Sequence, residues 1–322
     1  MTDIRWFAPN QYTTLVVPEL RRRGLSIDVE GQSPARLALA MSGSVAEAAW
    51  RYAVRRGCPL VVFIWDLPPD RTGAGLHDLV WWLGGHFFHL PRPAGGFASH
   101  RRHYSRLRYI AAHAAELWVP SEMSGSSVLG RFGLPSRRVP YCYDSERFRP
   151  AATMRDQPAT LITVSRLEAH KNQAATVRAA ARLGRDVQVR LIGRGSERDS
   201  LERLARSLSV RCHIDQQASD ADVVDAYRRA RVAVCPSRFE GFGLTPIEAV
   251  ASGTPVAASD IPPHREFGGR AITYFPLDDD DALVRAVATA LDSAAPDQKV
   301  LRELSIPAAA ERFEALLRPL LG

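Results

Sequence analysis

The sequence predicts an α/β protein that contains two doubly wound parallel sheets, one in each half of the chain. Short apolar segments of strand length alternate with amphipathic segments of helix length, which is the pattern of β-α-β units. The length of 322 residues suits two domains, and 46% hydrophobic and 24% charged residues is a globular composition. Because right-handed crossovers place every strand-to-helix turn at one edge of such a sheet, we expect ligands to bind at that edge.

The first half of the chain shows this alternation with less regularity than the second. Apolar segments predict five strands, and the segments between them predict five helices. The strands are expected at 4–8, 26–30, 60–65, 116–120 and 138–142, and the helices at 11–23, 34–56, 75–84, 99–115 and 122–132. The polar segment 143–159, with Pro150 and Pro158, then predicts a linker.

The second half alternates clearly and ends in a separate helix. Strands are expected at 159–164, 187–193, 210–214, 232–236 and 255–259, and helices at 172–183, 197–208, about 220–230 and from 246. Ser305 is the expected N-cap of the last helix, which has one apolar stripe. We therefore expect a first domain at 1–150, a second at 151–305 and a terminal helix at 306–322.

The composition indicates in which cellular compartment we expect the protein and whether we expect it to bind a metal ion. The longest apolar run, 60–65, is too short to span a bilayer, and the first residues lack the core of a signal peptide. The four cysteines are scattered without a C-x-x-C pair, so we expect a reducing cytoplasm and neither disulfides nor zinc. The acidic run in 277–283 is read as the negative start of a helix, and a metal-binding D-x-D is the alternative.

The net charge of +7 lies entirely in the first half. Residues 1–150 hold 19 Lys and Arg against 12 Asp and Glu, whereas residues 151–322 hold 23 of each kind. The basic half leaves open contact with an anionic membrane face, an acidic acceptor or nucleic acid. Nothing in it resembles a nucleic-acid recognition module, so nucleic acid is not an expected partner.

The segment SRFEGFGLTPIEAVASGTP (237–255) carries two glutamates eight positions apart, Glu240 and Glu248. Glu240 follows an apolar strand, and a glycine-rich turn leads from it into a helix whose amide-rich end attracts phosphate and sugar oxygens. A structural reading is also open, in which Thr245 is the N-cap, Pro246 the first helical residue and Glu248 the third residue of a capping box. The spacing alone does not decide between the two.

Two further turns at the same expected edge carry suitable chemistry. The turn after strand 159–164 contains Arg166 and Lys171, and the chain has 40 arginines but only two lysines. A lysine retained here suggests a need for a compact ammonium group, and two fixed cations suit a diphosphate. The next turn, Gly193-Arg194-Gly195, opens a helix after a strand.

The sequence resembles the retaining glycosyltransferases of the GT-B fold, family 4. The matching segments, in order, are WVPSEMSGSSVLGRFGLPSRRVPYCYDSERFRP, LITVSRLEAHKNQAATVRAAARL, VRLIGRGSERDSLERLARSL and DVVDAYRRARVAVCPSRFEGFGLTPIEAVASGTPVAASDIPPHREFGG. They lie within residues 118–292. The resemblance implies two Rossmann-like domains that face a central cleft, with the terminal helix packed back on the first domain.

The resemblance also implies roles. Arg166 and Lys171 correspond to the basic pair that holds the donor diphosphate, Glu240 to the residue that contacts the donor sugar, and Glu248 to the residue that binds the ribose. The turns at 193–195 and 241–245 correspond to segments whose backbone contacts the donor. Their residues are Gly193, Gly195, Gly241, Phe242, Gly243, Leu244 and Thr245. The family implies no metal or cofactor.

The first half departs from the family pattern. Trp65-Asp66-Leu67 stands where many members carry a histidine, and Asn10 and Gln11 stand where they carry a glycine-rich turn. Asp66 remains a candidate catalytic residue that touches the sugar, or it caps the following loop. For Trp65, core packing and stacking on a sugar both stay open.

The predicted function is transfer of a hexose from a nucleotide-diphosphate sugar, GDP-mannose or a UDP-hexose, to a hydroxyl group with retention of configuration. A glycan, a lipid-linked glycan or a small natural product is the expected acceptor. The protein is expected in the cytoplasm, with contact at the inner membrane face left open by its basic half. The alternatives are a nucleotide-sugar epimerase and a non-catalytic nucleotide-binding protein on the same fold.

Overall fold

The computed structural model describes residues 1–8, 10–65, 67, 97–151, 155–184 and 186–322. These residues form two compact units. The first unit contains the described residues up to Cys142 together with Glu303–Gly322, and the second unit is built from Tyr143–Arg302. Within the described part of the chain, no helix is both long and apolar enough to cross a bilayer.

The first unit contains a parallel sheet of six described strands in the order β2-β1-β3-β4-β5-β6. The strand order reverses between β1 and β3, which is where a doubly wound sheet opens its crevice. The strands are β1 (Thr2–Phe7), β2 (Ile27–Val29), β3 (Ala35–Ala40), β4 (Leu60–Phe63), β5 (Glu116–Val119) and β6 (Arg137–Arg138), and the helices are α1 (Gln11–Arg22), α2 (Ala46–Arg56), α3 (Phe97–Ala112) and α4 (Glu122–Phe132).

Two sequence-based expectations for this unit were wrong. The segment 34–56 was expected to be one helix, yet β3 occupies its first part and α2 its last part. Because β3 lies between β1 and β4 and is buried on both faces, its apolar run lacks the alternation that identifies a strand. The expected strand 138–142 shrinks to the two-residue edge strand β6. The helix expected at 75–84 lies outside the described residues.

The second unit contains another parallel sheet of six strands, in the order β12-β11-β10-β7-β8-β9. Its order reverses between β7 and β10, so this pair forms the switch point. The strands are β7 (Ala159–Val164), β8 (Val187–Ile192), β9 (Cys212–Asp215), β10 (Val232–Cys235), β11 (Val256–Ser259) and β12 (Ile272–Phe275), and the helices are α5 (Gln173–Leu183), α6 (Arg198–Ser207), α7 (Asp220–Arg229), α8 (Leu244–Ala251), α9 (Pro262–Gly268) and α10 (Asp280–Leu291).

The predicted fold class is confirmed by these two parallel α/β sheets. In the second unit, buried residues of β7, β8 and β10 pack against α5, α6 and α10 in one apolar core. The acidic run 277–283 begins α10 as predicted, because the Asp279 side chain accepts a hydrogen bond from the Ala282 amide at 2.8 Å. Strand β12 and helix α9 were not predicted.

The chain ends in α11 (Ile306–Leu321), which packs against α1 in the first unit. Ser305 caps α11 as predicted, since its side chain accepts a hydrogen bond from the Ala308 amide. Phe313 of α11 is fully buried, and its ring lies 5.1 Å from the Trp118 ring, 5.4 Å from the Tyr12 ring and 5.9 Å from the Trp6 ring. Aromatic packing therefore fixes the terminal helix to the first sheet.

Candidate active site

The switch point of the second sheet brings two predicted loops together. The loop after β7 carries Arg166 and Lys171, and the loop after β10 carries Glu240. Strands β7 and β10 are neighbours and parallel, so both loops leave the same edge of the sheet side by side. The Arg238 amide donates to the His170 carbonyl at 2.8 Å and ties the two loops to each other.

Lys171 and Glu240 form an ion pair at the centre of this edge. The Lys171 Nζ atom lies 2.6 Å from Glu240 Oε1, and each side chain is only 13% exposed. Burial alone would raise the pKa of Glu240, but the Lys171 ammonium and a hydrogen bond from the Ser237 hydroxyl outweigh it and leave this pKa below its usual range. Glu240 is therefore a carboxylate at neutral pH.

A buried hydrogen-bonded chain supports the Glu240 loop from the neighbouring strand. The Ser259 hydroxyl, at the end of β11, donates to the Ser237 carbonyl at 2.5 Å. His264 Nδ1, from α9, lies 2.9 Å from the Ser259 carbonyl. Phe242 and Phe267 add an aromatic contact with ring centroids 4.1 Å apart. Together these contacts fix the turn that follows Glu240.

Arg166 stands at the rim of the site and not at its centre. Its guanidinium pairs with Glu168 at 2.6 Å and is 58% exposed. Its carbonyl accepts a hydrogen bond from Gln173 Nε2 at 2.6 Å, which fixes the backbone beneath the exposed guanidinium group. Burial, Lys171 and Arg166 together lower the pKa of His170 to about 4, so this neighbour is neutral at pH 7.

Gly193 and Gly195 bring the third predicted turn against the loop that carries the cations. A Cβ atom on Gly193 would lie 2.0 Å from the Ser165 carbonyl oxygen, and one on Gly195 would lie 2.2 Å from the Leu167 carbonyl oxygen. The Leu167 amide in turn donates to the Arg194 carbonyl at 2.8 Å. The glycines permit a close backbone approach that positions the 165–171 segment.

Helix α8 begins differently from the capping box that the sequence suggested. Its N-cap is Gly243, at φ +88°, and no side chain caps the helix. Leu244 is the first helical residue, so Thr245, Pro246 and Glu248 fall at the second, third and fifth positions. The capping-box interpretation was wrong, because a left-handed glycine starts the helix two residues earlier than Thr245 could.

Glu248 lies one turn into α8 and is half-buried. Burial raises its pKa to about 8, against the attraction of Arg147 and with the repulsion of Asp220 and Asp144. Burial is the main reason that the pKa of the Cys235 thiol, at the end of β10, is raised to about 12. The negative charges of Glu240 and Glu248 also raise this pKa. The charges of both glutamates therefore act at the end of β10.

Sequence reasoning overlooked Ser237, His170 and His264 as members of this site. His264 stands in DIPPHRE, where its spacing carries no signal of its own, and only the fold brings α9 beside the Glu240 turn. Asp66, predicted to touch the sugar, lies outside the described residues. Trp65, in the first unit, packs 5.0 Å from the Tyr141 ring and 6.3 Å from the Phe63 ring, as the core-packing alternative expected.

A family model now bears on these observations. The model described as glycosyl transferases group 1 matches residues 144–305, which is half of the chain. The chain belongs to this family. The match contains both strands of the switch point and every residue of the Lys171–Glu240 site.

Parts of this chain are similar to named proteins. The MMP alpha-(1->4)-mannosyltransferase of Mycolicibacterium hassiacum is 30% identical over 159 residues, which are 47% of this chain and 38% of that protein. Glycogen synthase of Mycobacterium tuberculosis is 30% identical over 184 residues, or 53% of this chain and 41% of that protein. The matched segments thus span about two fifths of these curated relatives.

Solved structures resemble the chain over its whole length. Sucrose-phosphate synthase from Thermosynechococcus elongatus has a TM-score of 0.70 at 19% identity and covers 99% of each chain. Anabaena HepE, solved with UDP and glucose, has a TM-score of 0.73 at 14% identity and covers 99% of this chain and 100% of its own. These likenesses confirm the predicted GT-B fold. Among the described residues of this group 1 chain, no three His, Cys, Asp or Glu side chains cluster as metal ligands would.

Proposed function

We propose that this chain is a retaining glycosyltransferase of family 4 that transfers a hexose from a nucleotide-diphosphate sugar to an acceptor hydroxyl. One observation carries the proposal: a lysine and a carboxylate, both largely shielded from solvent, meet 2.6 Å apart at the switch point of the sheet that the group 1 family model covers. Such a crevice is where doubly wound sheets bind nucleotides. The pair offers a cation for phosphate and an acceptor for sugar hydroxyls.

Each residue has a distinct task in the proposed reaction. Cleavage of the donor leaves negative charge on the departing diphosphate, which Lys171, Arg166 and the α8 amides stabilise. Lys171 is held in place by Glu240 before the donor arrives, so little rearrangement is needed. Arg166 is exposed and exchanges its surface pair with Glu168 for a phosphate oxygen. Glu240, ionised at neutral pH, accepts hydrogen bonds from the sugar, and Glu248 binds the ribose.

Retention of configuration is part of the same proposal. Acceptor attack on the face that the diphosphate leaves allows a departing phosphate oxygen to take the acceptor proton. Glu240 is committed to Lys171 and is not proposed as a nucleophile. NMR of the anomeric proton in the first product formed would distinguish retention from inversion.

The donor is proposed to be GDP-mannose or a UDP-hexose. The mannosyltransferase from Mycolicibacterium hassiacum supports mannose, and the UDP and glucose bound to HepE support a UDP-hexose. For the acceptor we propose a glycan, a lipid-linked glycan or a small natural product. The excess of basic residues in 1–150 suits a cytoplasmic protein that reaches acceptors at an anionic membrane face.

Thermal-shift measurements with GDP, UDP, GDP-mannose and UDP-glucose test this function. We expect one nucleoside diphosphate and its sugar to stabilise the wild type. Lys171→Met would bind that diphosphate about 10- to 100-fold more weakly, since a charge-assisted contact is lost. Lys299→Met is the matched control, because Lys299 is the other lysine of the chain and is exposed.

A second variant removes an ambiguity from this experiment. Lys171→Met leaves the Glu240 carboxylate buried without its cation, which destabilises the fold by itself. The double variant Lys171→Met/Glu240→Gln removes both charges, so its ligand-induced shift reports binding and not repair of the fold. Absence of any shift in the wild type with all four ligands would contradict the proposed function.

A further inference from the structure

The second unit contains an open cleft of about 900 Å³ at the end of its sheet away from the proposed donor site. Residues 155–160 of its lining lead into the amino end of β7, whereas Lys171 follows the carboxyl end of this strand. A strand of six residues spans roughly 20 Å. The cleft therefore lies outside the donor site and has no role in the proposed reaction.

The strands aim arginine and histidine side chains into this cleft. Val189 and Leu191 of β8 belong to the apolar core that α5 and α6 cover. Arg190 alternates with them, so its side chain lies on the opposite face of the sheet. His213 of β9 is the register partner of Arg190, and it lines the cleft on the same face. The Arg190 side chain is 28% exposed and thus open to a ligand.

The lining of the cleft is rich in positive charge. Its charged side chains are Arg155, Arg190, Arg211, Arg229 and one carboxylate, Asp156. Asp156 lies 2.7 Å from the Arg229 guanidinium and also accepts a hydrogen bond from the Thr160 hydroxyl at 3.1 Å. Arg229 lies 4.0 Å from a second carboxylate, Asp225. The single carboxylate of the lining is therefore engaged by Arg229 and Thr160.

The half-buried arginines Arg155 and Arg190 are held in place without a close carboxylate partner. Two backbone carbonyl groups accept hydrogen bonds from the Arg155 guanidinium. Burial, and after it the positive charge of Arg231, lower the pKa of Arg155. Arg190 lies 3.4 Å from Asp215, which is a long contact for an ion pair. Because guanidinium groups in one cleft repel each other, a bound anion would relieve the repulsion.

We propose that this cleft is a second ligand site, which binds the phosphate group of a small, soluble phosphate monoester. The planar guanidinium fork of arginine matches phosphate oxygens with paired hydrogen bonds. The cleft has the volume of a small-molecule site, so it holds an organic group beyond the phosphate. This inference goes beyond the proposed function and does not depend on it.

The charge of the surrounding sequence favours a small ligand over a polyanion. Residues 151–322 hold 23 Lys and Arg and 23 Asp and Glu, so the positive charge of the cleft is local. Nucleic acids and anionic membranes bind to extended basic surfaces, whereas a phosphate monoester needs only the few cations of one cleft.

Calorimetry at constant ionic strength tests the site with inorganic phosphate, glucose 6-phosphate and glycerol 3-phosphate. Glucose and glycerol are the controls that lack the phosphate. The cleft variant is Arg190→Gln/Arg211→Gln. Arg203→Gln/Arg206→Gln is its matched control, because it removes the same charge from exposed positions of α6. The donor-site variant Lys171→Met/Glu240→Gln reports any phosphate that binds at the donor site.

We expect the wild type to bind inorganic phosphate and at least one of the two esters, and neither glucose nor glycerol. The cleft variant should bind the same ligands about 10- to 100-fold more weakly, since charge-assisted hydrogen bonds are lost. Arg211→Gln alone changes an exposed residue and leaves the fold intact, and it should weaken binding about threefold or more. The matched control and the donor-site variant should bind as the wild type does.

Several outcomes would overturn the inference. No binding of an ester, or binding of inorganic phosphate as an adventitious ion only, would show that the arginines only support the fold. Equal weakening in the cleft variant and its control would indicate unspecific attraction. Weakening in the donor-site variant alone would place the phosphate at Lys171.

Vesicles of phosphatidylcholine with phosphatidic acid test a lipid as the source of the phosphate monoester. Binding to these vesicles without binding of the soluble esters would overturn the small-molecule assignment. The thermal shift with nucleoside diphosphate is measured in the cleft variant as well. Because this shift depends on the donor site, its presence or absence reports on the proposed function separately from the cleft.

Discussion

Single residues in this chain acquire their chemistry from where the fold buries them. Lys171 and Glu240 are 69 positions apart in sequence, yet they form one part-buried ion pair. The pair places a cation and a carboxylate at the edge of the second sheet where β7 and β10 end. Breaking such a pair by removing one partner costs about 3–5 kcal/mol, so both residues support the fold as well as the site.

Glu248 gives a prediction on pH at the residue scale. Its pKa rises from 4.5 to about 8 on folding, so the folded chain binds an extra proton between these values. This contribution favours folding on the acidic side and is lost as pH rises through 8. We expect Glu248→Gln to gain stability relative to the wild type as pH rises, by roughly 1–3 kcal/mol at the alkaline end.

Urea unfolding of both proteins across this pH range would measure the difference. Glu303→Gln, which changes an exposed glutamate, is the matched control and should follow the wild type. A constant difference between Glu248→Gln and the wild type across the range would show that the carboxyl is not protonated in the folded chain.

Among the elements, the loop after β7 depends on its neighbour after β8. The glycines of the second loop leave room for the backbone at Ser165 and Leu167, and hydrogen bonds through Leu167 join the loops. The cations of the site are therefore positioned by residues that do not themselves need to touch the donor. A substitution that displaces the glycine turn should therefore weaken phosphate binding.

Gly195→Ala tests this dependence. Its Cβ atom would meet the Leu167 carbonyl oxygen at 2.2 Å, which forces the loop that carries Arg166 and Lys171 to move. We expect lower stability by about 2 kcal/mol or more and a reduced thermal shift with nucleoside diphosphate. Gly184→Ala is the matched control, because Gly184 has a φ of +95° but nothing within 4 Å of its Cβ position. It should cost about 1 kcal/mol and keep the ligand shift.

The whole molecule divides its tasks between two units. The proposed donor residues all belong to the second unit, whereas α11 completes the apolar core of the first. Phe313 illustrates the structural half of this division, because its ring is enclosed by three aromatic rings of the first unit. Stability and donor binding should therefore respond to different substitutions.

Phe313→Ala provides the test at this scale. Loss of a fully buried phenylalanine costs about 3–5 kcal/mol, so we expect a lower melting temperature. The dissociation constant for nucleoside diphosphate should stay at the wild-type value, since Lys171 lies in the other unit. Phe275→Ala, at a buried position of β12, is the counterpart in the second unit. A loss of diphosphate affinity in Phe313→Ala would contradict this division of tasks.

Local sequence patterns are enough to predict the fold class, most strands and helices, and the loops that carry Lys171 and Glu240. These features are predictable because apolar periodicity and turn residues are properties of residues close together in the sequence. Strand β3 was not predicted, because a strand buried on both faces lacks the alternation of apolar and polar residues. The capping-box interpretation at Thr245 was wrong, because α8 begins earlier, at its N-cap Gly243.

Tertiary packing determines which distant side chains meet. It paired Lys171 with Glu240, left Arg166 at the rim, raised the pKa of Glu248 and set His264 against Gly243. Burial and electrostatic coupling depend on contacts between segments far apart in the chain, and no local pattern encodes them. The chemistry of the candidate site therefore comes from the packing of loops at the switch point.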